Sequence, residues 1–270
     1  MEWKNLYRGF VMGISDLIPG VSGGTIAVIL GIYDRLLTAI SGFFSKEWKR
    51  HIGFLLPLGI GMGSAILLLS RVIEFLLENY HAPTQFFFLG LIVGVVPFMA
   101  RQAEVKRNFK LSHYLVMFVA ISLLIIMAFA KTDYVLEIEG TLTLSTIAIL
   151  FFSGWLASMA MLLPGISGSF VLLVIGVYPV VIQALSALHF PIIAVVGAGV
   201  VVGFIVSSKG IKYALARFPH VTYASIIGLI IGSLFVVFPG IPSGGTLVIS
   251  ILTFFTGLLV VIFLGAGKRV

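Results

Sequence analysis

Long apolar runs separated by short polar breaks dominate the chain. Residues 53 to 78, 85 to 100, 111 to 130, 191 to 208, 223 to 238 and 246 to 266 approach the roughly 20 apolar residues that an α-helix needs to cross a hydrocarbon core about 30 Å thick. Two other apolar stretches, 9 to 41 and 154 to 186, are broken by Pro-Gly pairs. The arms of the first, about 10 and 16 residues on either side of Pro19-Gly20, reach only about 15 and 24 Å as helices, which predicts a re-entrant hairpin rather than two spans.

The pattern also repeats. Residues 9 to 41 align without gaps on 154 to 186, with 10 of 33 positions identical, and 58 to 98 align on 196 to 236 with 10 identities in 41. The identities fall on turn chemistry. Pro19-Gly20-x-Ser22-Gly23 matches Pro164-Gly165-x-Ser167-Gly168, Gly31-x-Tyr33 matches Gly176-x-Tyr178, and Gly90-Leu91-Ile92-x-Gly94 matches Gly228-Leu229-Ile230-x-Gly232. The predicted fold is an all-α polytopic membrane protein, one membrane domain over 1–270, with a first repeat over 1–135 and a second over 145–270. Each repeat is a re-entrant, Pro/Gly-broken helical hairpin followed by three transmembrane segments. An odd number of crossings per repeat inverts the second against the first.

Charge supports inversion independently. With both termini cytoplasmic, 14 of the 17 Lys and Arg residues collect inside, Arg71 and Lys131 fall outside, and Arg35 lies late in the first hairpin. The basic start, Met1 to Arg8, resembles a signal peptide, but no small-residue cleavage site follows and the segment reads as retained. Inverted repeats with broken helices are a transporter architecture, with binding near the midplane where the breaks meet.

Composition sharpens the class. With 60% hydrophobic residues, 10% charged and a mean hydropathy of +1.18, the solvent is lipid. The +7 net charge is spread over short loops as a topology signal, so nucleic acid is not an expected partner. Zero cysteines exclude disulfides and thiolate metal sites. His51, His81, His113, His189 and His220 lack metal-site spacing, and no Gly-Lys-Ser/Thr follows the Gly-rich turns. Neither a metal nor any other cofactor is expected, nor an ATP-driven pump. A phosphatase would need a nucleophile or base beside a Lys/Arg cluster, and no such grouping occurs, so the chain does not read as an enzyme.

The broken helices point to an anion. Proline stops the first arm, and the glycines free the backbone. Ser22 and Thr25 then line a turn that opens a half-helix near Gly24, whose unpaired N–H groups and positive dipole end suit phosphate or carboxylate. The candidate phosphate-binding residues are Gly20, Ser22, Gly23, Gly24 and Thr25 in one turn, and Gly165, Ser167, Gly168 and Ser169 in the other. Pro239-Gly240-Ile241-Pro242-Ser243-Gly244-Gly245-Thr246 echoes the motif without an aligned partner and reads as an external turn.

The run Asp16-x-x-Pro19-Gly20-Val21-Ser22-Gly23-Gly24-Thr25, then Gly31-Ile32-Tyr33-Asp34-Arg35, with Leu163-Pro164-Gly165-Ile166-Ser167-Gly168-Ser169 later, resembles the bacterial polyprenyl-phosphate transporter family, PopT. The resemblance covers essentially the whole chain. It implies a flippase in the bacterial inner membrane that returns undecaprenyl phosphate, the lipid carrier of peptidoglycan and other envelope polymers, from the outer to the inner leaflet. The lipid and the bilayer are then the partners, and a homo-oligomer stays open. A phosphate monoester carries roughly −1.5 to −2 charges and crosses hydrocarbon very slowly unaided, whereas its polyprenyl tail needs no help. A carrier or channel for a small soluble anion shares the same electrostatic features.

Charged residues at depth have two readings each. Asp16 is aligned with Met161 and serves either as a proton or sodium coupling site or as a cap of the broken helix, or pairs with Arg35. Arg35 either clamps phosphate bidentately or snorkels as a topology anchor. Arg71, aligned with Lys209, puts a basic residue at each membrane face, to receive a head group or to anchor the helix. Glycines such as Gly59, Gly61, Gly197 and Gly199 either pack helices or line a lateral groove.

Overall fold

In a computed structural model of the chain, residues 1–17, 21–43, 45–129 and 142–266 are described, and they form thirteen helices and no strand. The first half holds α1 (Lys4–Asp16), α2 (Gly23–Ile29), α3 (Tyr33–Ser41), α4 (Trp48–Asn79), α5 (His81–Gln102), the short α6 (Val105–Asn108) and α7 (Leu111–Phe129). The second holds α8 (Leu144–Leu162), α9 (Gly168–Ile175), α10 (Tyr178–Ser186), α11 (Phe190–Arg217), α12 (Pro219–Val237) and α13 (Gly245–Ala266). Seven of these, α4, α5, α7, α8, α11, α12 and α13, are long and apolar enough to cross a membrane, and the chain is a multi-pass membrane protein.

Element boundaries follow the sequence repeat. Helices α3 and α10 begin and end at aligned residues, and α4 and α11 end at aligned residues. The duplicated Gly-x-Tyr has a local cause. Gly31 and Gly176 take left-handed backbone angles, φ +60° and +81°, and the next N–H closes the preceding helix: Ile32 N–H donates to the Ala27 carbonyl at 2.9 Å and Val177 N–H to the Leu172 carbonyl at 3.0 Å. Both are Schellman caps, which only glycine forms cheaply. Each cap splits the second hairpin arm into two short helices, and α9 and α10 meet at a bend of 110°. The apolar pattern alone predicts one arm of about 16 residues there. It also places Lys209 and Lys212 in a loop, yet α11 continues through both to Arg217, because its last turns extend past the apolar stretch. The first arm of the second hairpin, α8, has 19 residues and is as long as a full span, unlike the 13-residue α1.

Glycines set the tightest packing. Gly9 on α1 lies against the Leu58 carbonyl of α4, and Gly61 on α4 against the Leu6 carbonyl of α1. The aligned residues repeat the arrangement: Gly154 faces the Val196 carbonyl and Gly199 the Phe151 carbonyl, between α8 and α11. A side chain at any of these positions would force the backbones apart. The middle and last long helices pair across the halves. Gly90 and Gly94 on α5 pack on Phe254 and Val261 of α13, and Gly228 and Gly232 on α12 pack on Met117 and Leu124 of α7. In all four pairs the contacts advance together along both helices, so the partners run parallel. Gly59, Gly63 and Gly197 meet nothing within 4 Å, whereas the other glycines read as groove or packing residues are packing residues.

The hairpins are packed unequally. Every residue of α2 is buried, in a large cluster with α3, α5 and α12. Only Gly168 and Val171 of α9 are buried, in a smaller cluster with Ala120, Leu124, Ala160 and Leu229. Helix α3 packs on α11, but among the described residues the equivalent packing of α10 on α4 is marginal at most.

Candidate functional site

The two hairpin turns meet inside the bundle. Leu163-Pro164-Gly165 follows α8 and lies against the start of α2: Ser22 Oγ donates to the Leu163 carbonyl at 3.4 Å, and Gly165 N–H donates to Thr25 Oγ1 at 2.9 Å. Tyr33 Oη adds a third link, donating to the Leu162 carbonyl at 2.9 Å. These carbonyls belong to the orphaned C-terminal turn of α8, which needs outside donors. Ser22 and Thr25 are 2% and 3% exposed, so unpaired polar atoms there would be costly.

At the first turn three consecutive N–H groups are taken, those of Gly23, Gly24 and Thr25. Ser22 caps α2 by accepting from Gly24 N–H at 3.1 Å, Thr25 N–H donates to the Ser22 carbonyl at 2.9 Å, and Gly23 N–H donates to Asp16 Oδ1 at 2.8 Å. Asp16 therefore caps the broken helix, one of its three predicted roles, and it occupies an N–H group that an anion at this helix start would use. Its predicted alternative partner Arg35 is elsewhere, 56% exposed, paired with Glu2 and stacked over the Phe54 ring at 5.1 Å. Arg35 lines a cavity of about 260 Å³ with Glu2, Asp34, Glu47, Arg50 and His51. Gly20 lies outside the described residues.

The second turn is freer. Ser167 caps α9 by accepting from Phe170 N–H at 3.3 Å, and its hydroxyl is 2.7 Å from that of Ser169. Among the described residues the N–H groups of Ser167, Gly168 and Ser169 meet no acceptor. Two adjacent hydroxyls and three consecutive N–H groups thus surround the N-terminus of an eight-residue helix, a donor set suited to the oxygens of a phosphate.

Residues not singled out from the sequence complete the surroundings. Tyr33, Asp34, Gln102 and Tyr223 line a small polar cavity of about 60 Å³ behind the first hairpin, where Gln102 Nε2 donates to Tyr223 Oη at 3.3 Å. The duplicated Gly-x-Tyr was the available signal for Tyr33; Gln102 and Tyr223 carried none. Arg71 on α4 and Lys209 on α11 are exposed on the helix surfaces and do not reach the turns.

Known proteins resemble the chain over most of its length. A family model described as undecaprenyl phosphate translocase-like matches residues 12–244. A polyprenyl-phosphate transporter of Staphylococcus aureus is 46% identical over 273 residues, covering 98% of this chain and 96% of the relative. A polyprenyl-phosphate transporter of Vibrio cholerae is 38% identical over 254 residues, covering 88% and 79%. No solved structure matches the chain.

Proposed function

Because the chain belongs to the undecaprenyl phosphate translocase-like family, we propose that it carries undecaprenyl phosphate or a similar polyprenyl phosphate from the outer to the inner leaflet of the bacterial cell membrane. The lipid returns in this way to its carrier cycle. The observation that carries the proposal is the meeting of two broken-helix turns, one with three N–H groups bonded internally and one with three that meet no acceptor among the described residues.

The halves have inverted topology, with both termini cytoplasmic. Parallel packing supports this: α13 runs with α5, and consecutive spans α12 and α13 run oppositely, so α12 opposes its repeat counterpart α5. The phosphate docks on Ser167, Gly168 and Ser169 while the polyprenyl tail stays in lipid. Rocking of the halves then exchanges the hairpins' roles, and Ser22, Gly23, Gly24 and Thr25 release their internal partners to take the head group on the other side.

Fluorescent undecaprenyl phosphate in proteoliposomes tests this reading through its leaflet accessibility. The S167A/S169A variant is expected to lose at least about a hundredfold in apparent affinity, since each hydrogen bond to a charged group contributes about 1.5–3 kcal/mol and two hydroxyls are removed. Unchanged transport in that folded variant would remove the site assignment. Uptake of soluble phosphate by the wild type without lipid movement would favour a small-anion carrier instead.

Asp16 couples transport to protons or sodium in this scheme. Its carboxylate repels phosphate unless it is protonated or paired with a cation. Asp16→Asn keeps an acceptor for Gly23 N–H but never carries charge, so transport is expected to persist with its dependence on pH and sodium lost. A variant that retains both dependences rules the coupling role out.

A further inference from the structure

A groove of about 620 Å³ runs between α8 and α11, lined almost wholly by apolar atoms. One wall carries Phe152, Trp155, Met159 and Leu163; the other includes Ser207 and Gly210. Phe152 and Trp155 stack at 5.8 Å between centroids with 22° between planes, which makes a flat aromatic floor.

The repeat architecture does not demand this groove. In the first half the positions aligned with Ser207 and Gly210 hold Leu69 and Val72, both larger side chains. A Cβ added at Gly210 would meet nothing within 4 Å, so the small residue is not there to bring helices together. Its effect is to leave room.

Position decides the occupant. The groove ends at Leu163, whose carbonyl accepts from Ser22 Oγ where the two turns meet. From Phe152 to Leu163 the wall rises about 16 Å along the helix, so a chain lying in it is led to the turns. In a bilayer, lipid tails are as apolar as leucine, and burial alone does not draw a chain out of lipid. Shape does the selecting, through dispersion contacts that a gap forfeits. A groove widened opposite an aromatic floor suits a methyl-branched chain, whose side methyls fill width that an unbranched acyl chain leaves empty.

We propose that the groove between α8 and α11 holds the head-proximal isoprene units of the lipid phosphate and gives the protein its preference for branched, unsaturated chains. The assignment rests on the transport function proposed above and adds a tail site to it.

The experiment compares competitors of fluorescent undecaprenyl phosphate transport in proteoliposomes: farnesyl phosphate, straight-chain dodecyl phosphate and inorganic phosphate. In the wild type, farnesyl phosphate is expected to compete at a concentration at least about tenfold below that of dodecyl phosphate. Gly210→Phe fills the groove and is expected to erase that advantage while leaving inhibition by inorganic phosphate unchanged. Gly59→Phe, on an open face of α4, is expected to keep the advantage and reports on folding. Equal competition by the two lipids in the wild type, or an advantage that survives in folded Gly210→Phe, overturns the tail site and leaves a groove for ordinary acyl chains only. Wild-type vesicles that move no polyprenyl phosphate at all overturn the transport function itself, a distinguishable result.

Discussion

A disulfide between α3 and α11 is expected to stop transport completely, and a reductant to restore it. The chain has no cysteine, so introduced pairs report on a silent background. Leu36 and Ile40 on α3 share the central cluster with Phe204, Ile211 and Leu215 on α11, and a cysteine scan over these positions will find pairs whose Cα atoms lie within the roughly 7 Å that a disulfide spans. Such pairs are expected to close without substrate, because α3 already packs on α11. The repeat-related positions, Val181 and Leu185 on α10 with Ile66 and Leu77 on α4, are expected to cross-link only when polyprenyl phosphate drives turnover, since α10 packs on α4 marginally at most here. Alternating access requires the first pair to open as the second closes. Full transport by protein whose α3–α11 bridge has formed quantitatively would refute the rocking mechanism.

The second large effect is expected at Gly165. Its φ of +95° is a conformation that a side chain resists at a cost of about 1–2 kcal/mol. An added Cβ would also stand 2.6 Å from Ile230 N and from the Leu229 carbonyl carbon and oxygen on α12. Gly240 separates these contributions, since it has φ +87° but nothing within 4 Å. Gly240→Ala is expected to cost only the backbone strain. Gly165→Ala must also push the turn away from α12, breaking the Gly165 N–H to Thr25 contact, and is expected to abolish transport with a loss of several kcal/mol. Thermal unfolding of both variants in detergent, beside transport, measures the difference; equal losses would mean that the close approach to α12 carries no energy.

Much of this architecture was legible in the sequence because lipid imposes its own grammar. Apolar runs of span length and the duplicated Pro-Gly-x-Ser-Gly turns mark the helices and the breaks between them, while which helices pair appears only in the structure. The candidate site was legible only as two lists of residues. Nothing in the sequence places Thr25 against Gly165, or Tyr33 against Leu162, because such contacts join segments far apart in the chain through single atoms. Nor does aligned sequence reveal inequality: Ser22 and Ser167 match, yet Gly23 N–H donates to Asp16 whereas Gly168 N–H meets no acceptor among the described residues. The asymmetry follows from Asp16 facing Gly23 where the second half has Met161, a departure visible in the alignment whose partner was not. Nor does the sequence pair Arg35 with Glu2, a contact between segments 33 residues apart.

The exchange of helices between halves also bears on how the protein is made. Gly90 and Gly94 of α5 find their partner only in α13, whereas α1 and α4 are complete early. During synthesis the glycine face of α5 therefore stays in the bilayer without its mate while the whole second half is inserted. An assembly factor that shields such faces, or a translocon that retains early helices, would act in that interval. Ribosome-bound chains stalled before α13 should be the most readily degraded intermediates of biogenesis.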